Sequence, residues 1–523
     1  MAKIMPLEID EESDGIAEVK QVNKIQPHRA IDDSSDIQQN SFRDFLIKNR
    51  GYILFVLTSM LLIYRNNLQP LNFLIVIILF FWAIIRLIAR TTIFSKGELS
   101  RDKPSLKRKT KIFSLVISMF ITFIIVSSTL FLNFSPQVGG DSLPYEVSPN
   151  FRDGTFHNLN PTDISSGNVS FLELLVQYIV SDDHRSPNIP LPTKEFEKLN
   201  LEADEISITW LGHSTLLIHT NNVTIITDPI FGEDNMDPLF FGPMPFIYQH
   251  TYELEDLPEI DYVFISHDHY DHLDMGTIKQ LEDSEFFVPL GVKAHLLRWG
   301  IDEKNIEELD WYDEINISSE LNVALTPSHH FSGRGLFNGD TTLWASWVFN
   351  LNDKSIFFSG DSGYMEEYVT IGEKYGPFDI AFLESGQYNE AWNNIHMFPE
   401  EVIQAGIDLN ATTILPIHNS KYELSLHHWD EPLERVTAEG ERRNLSVATP
   451  MIGESFVLGK TIPNRAWWTN VSDGPDLFLK DNIIVGVIVV PLNIVSIVWI
   501  VLSLKHNKSL NRSIEKVTNS EEE

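Results

Sequence analysis

The stretch ISHDHYDHLD, residues 265–274, places three histidines and three aspartates in ten positions. An apolar run, DYVFI at 261–265, leads straight into it. Such a run reads as a buried strand, so the chain turns where the polar residues begin. The pattern is His267-x-His269-x-Asp271-His272. At this spacing the four side chains cannot all face one metal from a regular strand, which points to a loop and to more than one ion. His267 and His269 suit one site, and Asp271 with His272 suits a neighbour.

Further metal-ligating segments should then end other strands. NVALTPSHHF (322–331) offers His329 or His330, IFFSGDSGY (356–364) offers Asp361, and TTILPIHNS (412–420) offers His418. Each follows an apolar run of about five residues, the length of a buried strand. Asp361 is a carboxylate, which can bridge two ions. The chain has no cysteine, so any metal is held by nitrogen and oxygen.

The surrounding pattern is β-rich from about 205. ISITWLGHSTLLIHT and NNVTIITDPIF read as a hairpin turning at NN. DYVFISH, FFVPL, NVALTPSH, LWASWVFNL, SIFFSGD, DIAFLE and TTILPIH follow as strands, with helices expected over 275–283, 291–299, 365–375 and 399–409. Strands first in runs and then alternating with helices imply layered sheets with helices outside.

Several segments resemble the metallo-β-lactamase superfamily, and within it the N-acylphosphatidylethanolamine phospholipase D branch and its bacterial relatives. They run from SPNFRDGTFHNLNPT at 148 through ITWLGHSTLLI, TDPIFG, TPSHHFSGR, TLWASWVF, FFSGDSGY, YGPFDIAFLESGQYNEAW and IHMFPEE to HHWDEPLERV, which ends at 436. The resemblance implies an α/β fold, the αββα sandwich, with two zinc ions. Carried over by position, His267, His269 and His330 would hold the first zinc. Asp271, His272 and His418 would hold the second, with Asp361 bridging. The histidine just before the aromatic is the family's ligand, which selects His330 over His329. The branch usually reads His-Trp-Gly where this chain has His418, Asn419 and Ser420, so the packing around His418 and the substrate shape are open to change. His396 resembles a residue lining the branch's pocket and joins Asp271 and Asp361 as a catalytic candidate. Arg334 and Tyr388 are weaker candidates, and His213 reads as a packed structural residue.

Two zinc ions held close together bring the pKa of a shared water toward about 7 and offset charge developing on a phosphoryl or carbonyl oxygen. Neither GHS at 212–214 nor SGDSG at 359–363 fits a nucleophile elbow. Three function classes follow: a zinc phosphodiesterase of a membrane lipid, a zinc hydrolase of a soluble ester or lactone, and a non-catalytic metal-stabilised membrane module. Complete ligand sets fit the last poorly. The formal net charge of -34 over 523 residues argues against a nucleic-acid partner, whose phosphates it would repel. The residues specify no oligomeric state.

Four apolar runs lie outside this region, at 52–64, 72–89, 112–134 and 482–504. A spanning helix needs roughly 20 apolar residues. The last two runs qualify outright, the second carries Arg86 near its end, and the first is short. This gives about three membrane helices before the catalytic region and one after it. The loop at 90–111 and the tail after 504 are rich in Lys and Arg, which marks them as cytoplasmic. The expected plan is a polar cytoplasmic tail (1–44), a membrane region (45–134), a linker and extension (135–204) and the catalytic domain (205–461). A linker (462–481), a membrane helix (482–504) and a cytoplasmic tail (505–523) complete it. The protein would then be an integral, multi-pass membrane protein with its catalytic domain outside the cytoplasm and a membrane lipid as substrate. Protease added to intact cells should therefore digest residues 135–481 without permeabilisation, as read by mass spectrometry of the released peptides; protection until permeabilisation would reverse the orientation.

Overall fold

Short, largely apolar runs dictate most of the strands, and five of the sixteen described are buried along their whole length. A computed structural model describes residue 123 and residues 135–142, 144–161, 184–231, 243–335 and 338–471. The chain divides into two units, Met1–Thr122 and Phe123–Glu523, and the described residues all belong to the second. A two-stranded hairpin, β1 (Phe151–Arg152) and β2 (Thr155–Phe156), comes first. β3 (Ser207–Trp210), β4 (Leu216–His219), β5 (Thr224–Thr227) and β6 (Tyr262–Phe264) follow, then α1 (Met275–Gln280), β7 (Glu285–Pro289), α2 (Lys293–Trp299) and β8 (Ile306–Leu309). The second half runs β9 (Glu314–Asn316), β10 (Leu321–Pro327), β11 (Ala345–Leu351), β12 (Lys354–Phe358), α3 (Glu367–Tyr375), β13 (Ile380–Glu384), α4 (Pro399–Asp408), β14 (Thr413–Ile417), α5 (Glu431–Arg443), β15 (Ser446–Val447) and β16 (Ser455–Val457).

These form two seven-stranded sheets, ordered β16-β3-β4-β5-β6-β7-β8 and β15-β14-β13-β12-β11-β10-β9. In each, one half is antiparallel and the other parallel. The parallel strands β13 and β14 are buried at every residue, because sheet packs on one face and helix on the other. One core cluster joins inward residues of both sheets, Phe264, Trp347, Phe349 and Phe382 among them. A second lies between the second sheet and its helices, around Phe357, Tyr368, Val402 and Val436. This is the expected αββα sandwich.

The topology puts chemistry at one edge. β3, β5 and β6 run in the same direction, as do β10, β12, β13 and β14. Their carboxyl ends deliver the loops that carry the candidate site. Trp347 stitches the two sheets there. Fully buried, it donates from Nε1 to the carbonyl of Ile265 at 2.9 Å and meets the Phe264 ring edge-on.

The structure departs from the sequence reading at several points. The first β run breaks into β3 and β4 around the turn at 211–215, while β4 and β5 pair across Asn221-Asn222 as expected. The helix α5 and the short strands β8, β9, β15 and β16 are additions to the expected elements. α5 has a mean composition too polar to stand out, yet Leu433, Val436 and Gly440 bury one face. Parts of the two expected linkers are packed. Pro136 accepts from Trp299 Nε1, and Trp467 and Trp468 are buried in the first core cluster. Among the described residues no helix is long and apolar enough to cross a membrane. The four apolar runs lie outside the described residues, Phe123 apart.

Trp347→Phe keeps the ring but leaves the buried Ile265 carbonyl without its donor, and should cost about 1–3 kcal/mol. Denaturant unfolding followed by Trp fluorescence measures it, and an unchanged midpoint would mean that the sheets are not joined here.

Candidate metal centre

Every predicted ligand sits in a loop at the carboxyl end of a strand. His267, His269, Asp271 and His272 follow β6, His330 follows β10, Asp361 follows β12 and His418 follows β14. Asp361 is delivered by a turn at Gly360, whose φ is +56° and where a Cβ would lie 2.5 Å from Ser266 Cβ. Only glycine fits this close approach.

Two clusters result. In the first, His267 Nε2 lies 2.9 Å from His269 Nδ1, and His330 Nε2 lies 3.3 Å from that same atom. Asp361 Oδ2 lies 3.8 Å from His267 Nε2 and 3.7 Å from His330 Nε2. In the second, Asp271 Oδ2 lies 3.6 Å from His272 Nε2 and 3.4 Å from His418 Nε2. Asp361 reaches this cluster too, with Oδ1 at 3.2 Å from His272 Nε2 and Oδ2 at 3.1 Å from His418 Nε2. Within each cluster, one ligand atom per residue lies within 4.8 Å of the others.

Hydrogen bonds on the far side of the rings decide which nitrogens face inward as lone pairs. Asp228, at the end of β5, accepts from Ser266 N at 2.7 Å and Ser266 Oγ at 2.6 Å. It also accepts from His272 Nδ1 at 2.7 Å. Ser266 Oγ, having donated its proton, accepts from His267 Nδ1 at 2.9 Å. His330 Nδ1 donates to the Ile395 carbonyl at 3.1 Å. The Nε2 atoms of His267 and His330 therefore carry lone pairs, and that of His272 presents one to a cation that takes the place of its proton. This is the usual arrangement around a metal-ligating histidine. Lone pairs turned toward one another and toward two carboxylates are repulsive without a cation between them. His272 Nε2 and Asp361 Oδ1 are buried and make no hydrogen bond. The donor set fits a divalent metal centre with nitrogen and oxygen preference.

The electrostatics agree. Burial raises Asp361, but His272 and His418 outweigh it and hold the carboxyl well below the usual range. Burial likewise raises Asp271, and His272 and His213 pull it well below. Burial lowers His272, yet Asp361, Asp271 and Asp228 hold it well above the ordinary imidazole range. That pull measures how strongly this corner calls for positive charge. His267 and His330 are pushed well below by burial, which keeps them neutral.

The remaining candidates divide. His396 lies at the rim, its ring stacked on His418 at 5.3 Å, and Nδ1 meets Glu384 Oε2 at 2.8 Å. His329 belongs to neither cluster; its backbone N–H donates to Ser362 Oγ. Arg334 is buried and donates to the carbonyls of Asp268 and Leu273, so it ties the ligand loop together rather than facing the cluster. Tyr388 stands away from it, donating to Glu431 and stacked on His427. Asn419 occupies the unusual position after His418. Its amide donates to the Ser385, Pro416 and Ile417 carbonyls, which holds the loop with His418 and Ser420 both at positive φ.

Sequence reasoning missed four residues. His213, read as packing, has Nε2 at 3.1 Å from Asp271 Oδ2 and groups with Asp271, His272 and His418. Burial, with His418 facing it, brings it down to about 3. Asp228 in TIITDP and Glu384 in IAFLESG both follow the strand-then-carboxylate pattern that marked Asp361. Asn158, in the N-terminal extension, clamps the backbone of His330 from both sides, at 2.8 and 3.2 Å.

A family model described as the Beta-lactamase superfamily domain matches residues 223–419. An uncharacterized protein of Mycobacterium tuberculosis is 38% identical over 330 residues, covering 62% of this chain and 88% of that protein. The N-acyl-phosphatidylethanolamine-hydrolyzing phospholipase D 1 of Caenorhabditis elegans is 31% identical over 279 residues, covering 49% of this chain and 78% of the relative. Its mitochondrial counterpart in Saccharomyces cerevisiae is 30% identical over 268 residues, covering 47% and 56%.

Asp228→Asn retains the shape but weakens the hold on His272 and Ser266. Metal affinity should fall about 10- to 100-fold, as it does when such outer partners of a ligand are removed. Competition with a chromogenic chelator measures this, and unchanged affinity would separate Asp228 from the centre.

Proposed function

Since the chain belongs to the metallo-β-lactamase superfamily, we propose that this metallohydrolase is a membrane-anchored dizinc phosphodiesterase of phospholipase D type, acting on N-acylated or other glycerophospholipids. The observation that carries the reading is the pair of lone-pair clusters sharing Asp361. His267, His269 and His330 would hold one ion, Asp271, His272 and His418 the other, with Asp361 between them. When bound, such a pair supplies Lewis acidity, acidifying a water and offsetting charge on a phosphoryl oxygen.

The chain's own groups account for the rest. Asp271 and Asp361, held ionised, orient the attacking water as hydrogen-bond acceptors, and the proton it loses passes to solvent. The water oxygen bonds to phosphorus, the phosphorus–oxygen bond to the headgroup alcohol breaks, and the departing oxygen takes a proton. His396 stands where it can deliver that proton, with Glu384 fixing its ring through Nδ1. The products are phosphatidic acid and the free headgroup alcohol. The relatives from nematode and yeast, by their names, hydrolyse N-acyl-phosphatidylethanolamine, which supports the lipid substrate. The apolar runs flanking the catalytic region would tether it at a bilayer, where a membrane-borne substrate gains effective concentration and a free metabolite does not.

The full chain, incubated with a panel of glycerophospholipids, lactones and soluble esters, should release phosphatidic acid from lipid, lose that activity to a chelator and regain it with zinc. Faster turnover of a lactone or ester than of any lipid would replace the phospholipase reading with that of a soluble-substrate hydrolase. Asp361→Ala should remove at least about 100-fold of kcat, since a shared carboxylate positions both ions, whereas His329→Ala should keep most of it. Equal losses would overturn the ligand assignment.

A further inference from the structure

A cavity of about 300 Å³ lies beyond β3 and β5, lined by Leu211, Ile230, Phe231, Phe246, Tyr252 and Lys421, among others. None of the seven proposed ligands lines it. That volume is at the lower end of the range for small-molecule sites. Its walls are mostly apolar, and at its rim Met244 and Ile247 stand 52% and 45% exposed. Large apolar side chains left in solvent beside an apolar cavity mark a binding surface more than chance exposure.

Lys421 is the exception among these walls. Its side chain is only 6% exposed, and Nζ makes a single hydrogen bond, to the Ile230 carbonyl at 2.7 Å. Among the described residues it forms no ion pair. An ammonium carries three N–H donors, and among the described residues two of them meet no acceptor. A buried ammonium with one carbonyl acceptor and the Tyr422 ring 5.9 Å away is sparsely compensated, and burying a charge that way is costly. We infer that this cavity binds an amphiphilic anion, its carboxylate or phosphate oxygens on Lys421 Nζ and its alkyl chain along Phe231, Phe246 and Ile247. Lys421 is thus the specificity residue of a site separate from the metal centre, and the inference does not depend on which substrate the centre hydrolyses. A chain seated there would enter past Met244 and Ile247, the route open to a lipid or its hydrolysis product.

The test uses the full chain in nanodiscs of phosphatidylcholine, photolabelled with ten-carbon diazirine probes ending in a carboxylate, a phosphate monoester or an alcohol. At least one anionic probe should label residues 243–252 about tenfold more than the alcohol, the difference expected of a charge-assisted hydrogen bond. Labelling by the carboxylate alone would assign a fatty acid, and by the phosphate alone a lipid phosphate. Lys421→Met should bring the anions down to the level of the alcohol, with metal content unchanged, and Lys421→Arg should keep the preference. Competition in the wild-type chain gives a readout that needs no variant: unlabelled decanoate or decyl phosphate should displace the probe, and decanol should not. Equal labelling by anions and alcohol, or a preference that survives Lys421→Met, would overturn the inference.

Discussion

One carboxylate sets the terms for the whole site. Asp361 comes from the second sheet and faces His272 and His267 from the first, and His418 and His330 from its own. It is the meeting point of four loops that no local sequence signal connects. Buried anions and imidazole lone pairs cannot be left facing one another without a cation, so the two sheets close on a polar centre that positive charge must complete. The stability of this edge and its capacity for chemistry are therefore the same matter.

Around that centre a ring of buried polar groups keeps the ligands from relaxing. Asp228 fixes two imidazoles through one carboxylate, directly at His272 and through Ser266 at His267. Asp268 turns outward from the same loop to His295 and to the Gly333 amide. Burial would raise its carboxyl, but His295, His269 and Arg334 bring it down to about 2. Alternating residues of the loop thus serve the metal centre and the scaffold in turn. The extension at 144–161 belongs to this support as well, because Asn158 holds the backbone of His330.

The fold and this ligand set belong to a superfamily that hosts many reactions, and fold alone does not choose among them. What distinguishes this chain lies outside the shared pattern. Asn419 and Ser420 replace the usual Trp-Gly, and the Asn419 amide builds a polar brace behind His418. Lys421 follows immediately and places a cation in an otherwise apolar cavity. Long apolar runs bracket the catalytic region.

Much of the centre is legible in the amino-acid sequence. The clustered ligands at 267–272 and the recurring strand-then-ligand segments at 330, 361 and 418 are local signals, because a buried strand and the turn after it are written in consecutive residues. The order of β and α segments likewise indicates layered sheets. Other features are not legible. His213 looks like a packing residue because its nearest partner, Asp271, is 58 positions away, and only the pairing of β3 with its sheet brings them together. Asp228 and Glu384 share the pattern of Asp361, and nothing in their neighbourhoods ranks one carboxylate above another. The helix α5 and the packed parts of the two linkers depend on long-range burial, which polar local composition conceals. Consecutive residues thus specify which side chains can ligate and that each stands at the end of a strand. Which of them meet is decided only by the folded chain, because convergence is a property of strand order and direction, and those are set by contacts between residues far apart in the sequence.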